Sequence, residues 1–164
     1  MNRKQVRRGL GALALCALSV AASAQSVVAF KNACTSVGNS PQEALAGREG
    51  QAISFGTFVC STEGGPLDGI TLTGANLWHW SGGSATLVTG SSVGRKPGAH
   101  TVFESTGGKM KLLMNANQVV GFEGEGKGVY RVATGSVAPL EGKTVNFKFK
   151  SIAPGRFEVV GTID

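Results

Sequence analysis

The alternation of apolar and polar residues with a period of two, interrupted at short intervals by glycine, constrains this chain more than any other feature. Between Thr144 and Ile152, Val145, Phe147 and Phe149 share one side, while Thr144, Asn146, Lys148 and Lys150 share the other. Successive side chains of a strand point to opposite faces, so this segment reads as a strand with one buried and one wetted face. Lys109–Met114 repeats the pattern with Met110, Leu112 and Met114, and Arg156–Ile163 repeats it with Phe157, Val159 and Ile163. Further strands are expected at Val27–Asn32, Ala52–Cys60, Ile70–Trp80, Ala85–Ser91, Ala99–Ser105, Gln118–Glu123 and Val129–Val137, about ten in all. Turns are expected at Glu63–Pro66, Ser81–Gly83, Arg95–Gly98, Thr106–Gly108 and Glu141–Gly142. The best helical stretch is Pro41–Arg48, with Ser40 as N-cap and Pro41 at the first helical position.

Short strands at this spacing form a sandwich or a barrel, and a barrel leaves no unpaired edge. The expectation is therefore an all-β, antiparallel, small calyx-type β-barrel of about eight strands, with one short helical turn near 41–48. The last strand is placed to close against the first.

The N-terminus has the layout of a secretory signal. Met1–Arg8 is basic, Leu10–Ala22 is apolar, and Ala22-Ser23-Ala24 is a small-x-small cleavage site that would leave Gln25 as the new N-terminus. The apolar run is shorter than the roughly 20 residues of a membrane span, and Cys16 falls inside it. Residues 1–24 thus read as a cleaved signal peptide and 25–164 as a single domain, periplasmic or secreted, with no membrane contact after cleavage. Arg7-Arg8 leaves the general and twin-arginine export routes both open. The formal charge of +6 belongs largely to the signal: without Arg3, Lys4, Arg7 and Arg8, 12 basic residues face 10 acidic ones. A charge of +2 gives no ground for a nucleic-acid partner. A hydrophobic content of 41% excludes intrinsic disorder.

Past the signal, Cys34 and Cys60 remain. Two cysteines in an exported chain read as a disulfide, and no C-x-x-C or H-x-x-x-H spacing offers a metal site. No cofactor is implied.

Motifs for nucleophilic or phosphate chemistry fail on context. Gly90-Ser91-Ser92-Val93-Gly94 matches G-x-S-x-G, but a nucleophile elbow needs a helix after it. Arg95-Lys96-Pro97-Gly98 follows instead, so the run reads as a glycine-rich β turn. Gly142-Lys143-Thr144 ends like a P-loop, yet Val137 stands where the first glycine is required. Neither His100 nor Glu104 belongs to a nucleophile–base–orienter set.

Trp78-His79-Trp80 is the densest aromatic cluster. Strand parity turns both tryptophans inward and His79 to water. The inward set also includes Met110, Met114, Phe122 and Tyr130, and these six are the candidate lining of a ligand cavity, with Tyr130 as its polar handle. The inward glycines Gly56, Gly74 and Gly161 leave room, whereas the many large inward side chains argue for a filled barrel. The two interiors stay open alternatives.

The stretch His100–Thr162 resembles exported bacterial proteins of the allene oxide cyclase-like and dirigent-like barrel superfamily. The residues that carry it are Gly124-x-Gly126-x-Gly128-x-Tyr130, then Ala133-Thr134-Gly135-Ser136, then Gly142-Lys143 opening a strand. Val102–Lys109 looks like an earlier acidic hairpin of that superfamily, here with a Thr-Gly-Gly turn. Arg131 and Val132 stand where the superfamily has small residues. The resemblance implies a small, roughly eight-stranded calyx barrel with an apolar interior, and it carries no catalytic residue over. Three functions follow as expectations: a binder of a small apolar or aromatic molecule, a cyclase or isomerase that steers its substrate by cavity shape, or an interaction or inhibitor module using loops near Arg95–His100.

Overall fold

The computed structural model describes residues 28–38 and 41–164. Residues 1–24, read above as a signal peptide and including Cys16, lie outside them, as do Gln25 and the expected N-cap Ser40. Among the described residues nine strands run in chain order: β1 (Val28–Val37), β2 (Gln42–Ala44), β3 (Gln51–Glu63), β4 (Thr71–Ser81), β5 (Ser84–Lys96), β6 (Ala99–Asn115), β7 (Gln118–Gly135), β8 (Thr144–Ala153) and β9 (Arg156–Ile163). Each of β3 to β8 pairs antiparallel with the next. β1 closes the ring against both β9 and β3. The result is a closed eight-stranded antiparallel barrel, with β2 added outside it on β3.

The expected closure of the last strand on the first is present, with Val28 opposite Ile163 and Cys34 opposite Phe157. Cys34 also lies directly opposite Cys60 across β1 and β3, with Cα atoms 4.0 Å apart and the sulfurs bonded. The disulfide therefore staples two neighbouring barrel strands from within, and both cysteines are buried.

Two sequence expectations need correction. Pro41–Arg48 is not helical: Gln42–Ala44 pairs with Ala52–Ser54, and tight turns with positive φ at Gly47 and Gly50 lead into β3. Two turns of isolated helix are marginal, whereas this segment gains a hydrogen-bonded edge on β3. The second correction concerns glycine. Thr106–Gly108 is not a turn but an irregularity within the 17-residue β6, where the register shifts between Ser105 and Gly107. Gly124–Gly128 likewise runs through the 18-residue β7 as strand, and Gly90–Gly94 lies inside β5 rather than in a turn. Two expected pairs of short strands have thus fused into β6 and β7, which takes ten strands to eight, and the unexpected β2 makes nine.

One end of the barrel is plugged. Short 3-10 turns at Gly65–Leu67 and Ala138–Leu140 carry Leu67, Val137 and Leu140 into a core with Phe30, Ile70, Ala99, Tyr130, Ala133, Val145 and Ile163. Lys96 Nζ fastens the first turn by donating to the carbonyls of Pro66 and Asp68 at 2.9 and 3.0 Å. A second cluster of Trp78, Trp80 and Ala85, flanked by Met110, Leu112 and Phe149, lies apart from the first. Outside, the polar faces form ion pairs such as Lys31–Glu158 and Lys111–Glu123. The ammonium of Lys111 beside Glu123 holds that carboxyl below its usual range.

Candidate functional site

The barrel encloses a cavity of about 340 Å³. Inward positions on all eight barrel strands line it, so its character follows from the period-two pattern. Ten of the residues lining it are aromatic, yet the lumen is not filled, and glycine supplies the reason. Gly124 pairs with Phe149, Gly126 with Phe147, Gly161 with Phe30 and Gly74 with Phe58 across adjacent strands. In each pair the phenyl ring occupies the space a glycine Cβ would take, 2.4 to 2.5 Å from that position. The Phe103 ring covers Gly128 in the same way. Rings that lie over bare backbone cover the wall instead of crossing the lumen, the arrangement in which a neighbouring aromatic shields a strand glycine. Edge-on contacts join Phe103 to Phe147, and tilted ones join Phe122 to Phe149 and Phe157.

Of the six residues expected to line a cavity, the structure brings five together. Trp78, Trp80, Met110, Phe122 and Tyr130 all border it. Trp78 packs its indole against Phe149 with centroids 5.9 Å apart. Trp80 Nε1 donates to Ser54 Oγ at 2.8 Å, so the indole N–H is satisfied without turning to water. His79 points the other way and meets Gln51 at 3.1 Å.

Met114 is the exception: it is 54% exposed and does not border the cavity. Parity would turn it inward, but the wall has ended there. β5 leaves β6 at the Ser84–Lys111 pair, and β8 leaves β7 at Glu123–Lys150. Met114 therefore stands on a hairpin tip that projects past the barrel.

Tyr130 borders the cavity deep in the plugged end, packed on Phe103 with ring centroids 5.4 Å apart. Burial pushes its phenol far above the ordinary tyrosine range. A raised folded value means that the unfolded chain ionises first. Stability is then intact below about pH 10, the unfolded tyrosine value, and falls as pH rises beyond it. Tyr130 is the only tyrosine in the chain. The phenolate absorbance of an alkaline titration is expected to appear together with loss of the near-UV circular dichroism; phenolate formation in a chain that stays folded near pH 10 would refute the burial.

Sequence parity alone did not single out the polar members of the wall. Asn32, Ser54, Asn76, Ser92 and Ser105 also face the lumen. Asn32 and Ser92 lie on strands whose expected ends or faces were read only for their apolar residues, and the alternation N-A-C from Asn32 to Cys34 is the signal that could have placed Asn32 inward. Among the described residues, no Asp, Glu, Lys, Arg or His borders the cavity, and no cluster of His, Cys, Asp or Glu has the geometry to hold a metal ion.

No protein-family model matches the chain, and no curated protein matches it either.

Proposed function

We propose that the domain from residue 25 onward is an exported barrel whose lumen binds one small apolar or aromatic molecule. The observation that carries this reading is the cavity of about 340 Å³ walled by aromatic and uncharged side chains. Its size lies within the range of small-molecule pockets, about 300–1,000 Å³. Gln42, an exposed residue of β2, stands at its edge, and the opposite end is closed by the 3-10 turns. The uncharged wall favours binding over acid–base catalysis, because Tyr130 is kept protonated by its burial. The open lumen favours it over a filled interaction module. The disulfide agrees with an oxidising compartment, and the signal-like N-terminus supplies the route. The likeness of Gly124–Tyr130 to the cyclase-like and dirigent-like barrels belongs to the same proposal.

Native mass spectrometry of the oxidised protein with a neutral aromatic such as biphenyl tests it. One adduct per chain is expected, and a spectrum with none overturns the reading. N-terminal sequencing of exported protein is expected to begin at Gln25; Met1 retained on a membrane-bound product would remove the export part.

A further inference from the structure

Asn32 is the most poorly satisfied group in the cavity wall. It sits on β1 between the inward residues Phe30 and Cys34, borders the cavity and is 6% exposed. Among the described residues its Oδ1 has no hydrogen-bond partner, and that oxygen is turned into the wall rather than to the lumen. The residue opposite it on β3, Thr62, is buried too, and its hydroxyl is also unpartnered. A buried acceptor left without a donor is costly, and natural chains seldom carry one that nothing satisfies.

On its side away from Thr62, the surroundings of Asn32 are apolar. Following the cross-strand pairs around the sheet, Asn32 is succeeded by Val159, Phe149, Gly124 and Met110. The amide thus stands at one end of a track of hydrocarbon and bare backbone. A charged ligand entering there would lose its hydration and meet no counter-charge.

We infer that the ligand of this lumen is uncharged and carries a hydroxyl or N–H group that donates to Asn32 once a half-turn of its amide brings Oδ1 to the lumen, with the ligand's apolar body lying along Val159, Phe149 and Met110. The inference rests on the lumen-binding reading above and narrows it. Asn32 then acts as the residue that selects among apolar molecules. It is held in the wall at a cost to the empty protein, as functional groups often are.

Equilibrium dialysis with four probes of one shape tests this: naphthalene, 2-naphthol, 2-methoxynaphthalene and 2-naphthoate. In the parent, 2-naphthol is expected to bind about tenfold more tightly than naphthalene or the methoxy compound, the worth of about one net hydrogen bond, and 2-naphthoate is expected not to bind. In Asn32→Leu the preference for 2-naphthol is expected to vanish while naphthalene is retained. The variant's melting temperature is expected to equal or exceed the parent's, because the unpartnered oxygen is gone; Asn32→Ala provides the same ratio of affinities with a smaller side chain. Equal binding of naphthalene and 2-naphthol by the parent sinks the role of Asn32 and leaves the lumen reading standing. Uptake of none of the four sinks both. Preference for 2-methoxynaphthalene or 2-naphthoate, or an Asn32→Leu chain that melts well below the parent, overturns the inference.

Discussion

Replacing Cys34 and Cys60 together by alanine is expected to lower the folding free energy by about 3.5 kcal/mol, from the entropy of a loop of this length in the chain-entropy model. The sequence separation is 26 residues. For a domain of this size that corresponds to a drop of roughly 10 °C in melting temperature. The bond joins β1 to β3, and β1 is also the strand on which β9 closes the ring. Its loss should therefore loosen the closure of the barrel as well as the local pair. Reduction with a thiol should reproduce the double variant, and the effect of reductant on the variant itself should be nil. A loss below about 1 kcal/mol would mean that the β1–β3 pairing persists in the unfolded chain or that the loop argument does not apply here.

The second large effect is expected at Gly128. A Cβ there would lie 2.2 Å from the Phe103 ring and 2.4 Å from the carbonyl oxygen of Glu104. The ring is able to turn away, but the carbonyl belongs to the paired strand and is not. Gly128→Val is expected to cost about 3 kcal/mol, the upper part of the usual overpacking range, and to displace Phe103 into the lumen. Gly142→Val provides the contrast: nothing lies within 4 Å of its Cβ position, and its cost comes from a φ of 77°. Chemical denaturation measures both. If Gly128→Val were as stable as the parent, the account of rings lying over bare backbone would be wrong.

These two sites show where the sequence was legible. Period-two alternation placed Trp78, Trp80, Met110, Phe122 and Tyr130 on the lumen side, because one face of every barrel strand must be dry. Parity in the two cysteines and the compartment argument found the disulfide. What alternation does not report is where a wall ends. Met114 obeys the pattern and is still exposed, because its neighbouring strands stop before it. Nor does the pattern separate a turn glycine from a wall glycine. Gly82 and Gly98 take positive φ in hairpin turns, while Gly126 and Gly161 lie within strands under phenyl rings. Only the cross-strand partner tells the two apart, and that partner is set by register over distances that local composition does not encode. The helix expected at Pro41–Arg48 failed for the same reason: its cap-like and helix-forming residues were read without the edge of β3 that claims Gln42–Ala44.

The most direct measurement is a tryptophan-emission titration with N-phenyl-1-naphthylamine, a neutral aromatic. The chain has two tryptophans, and both border the lumen, so their emission reports on that space alone. Binding there predicts saturable quenching of tryptophan emission with a matching rise in probe emission, at one probe per chain. It also predicts competition by 2-naphthol. Tryptophan emission that is unchanged by the probe, or probe emission that rises without saturation, would contradict a binding lumen.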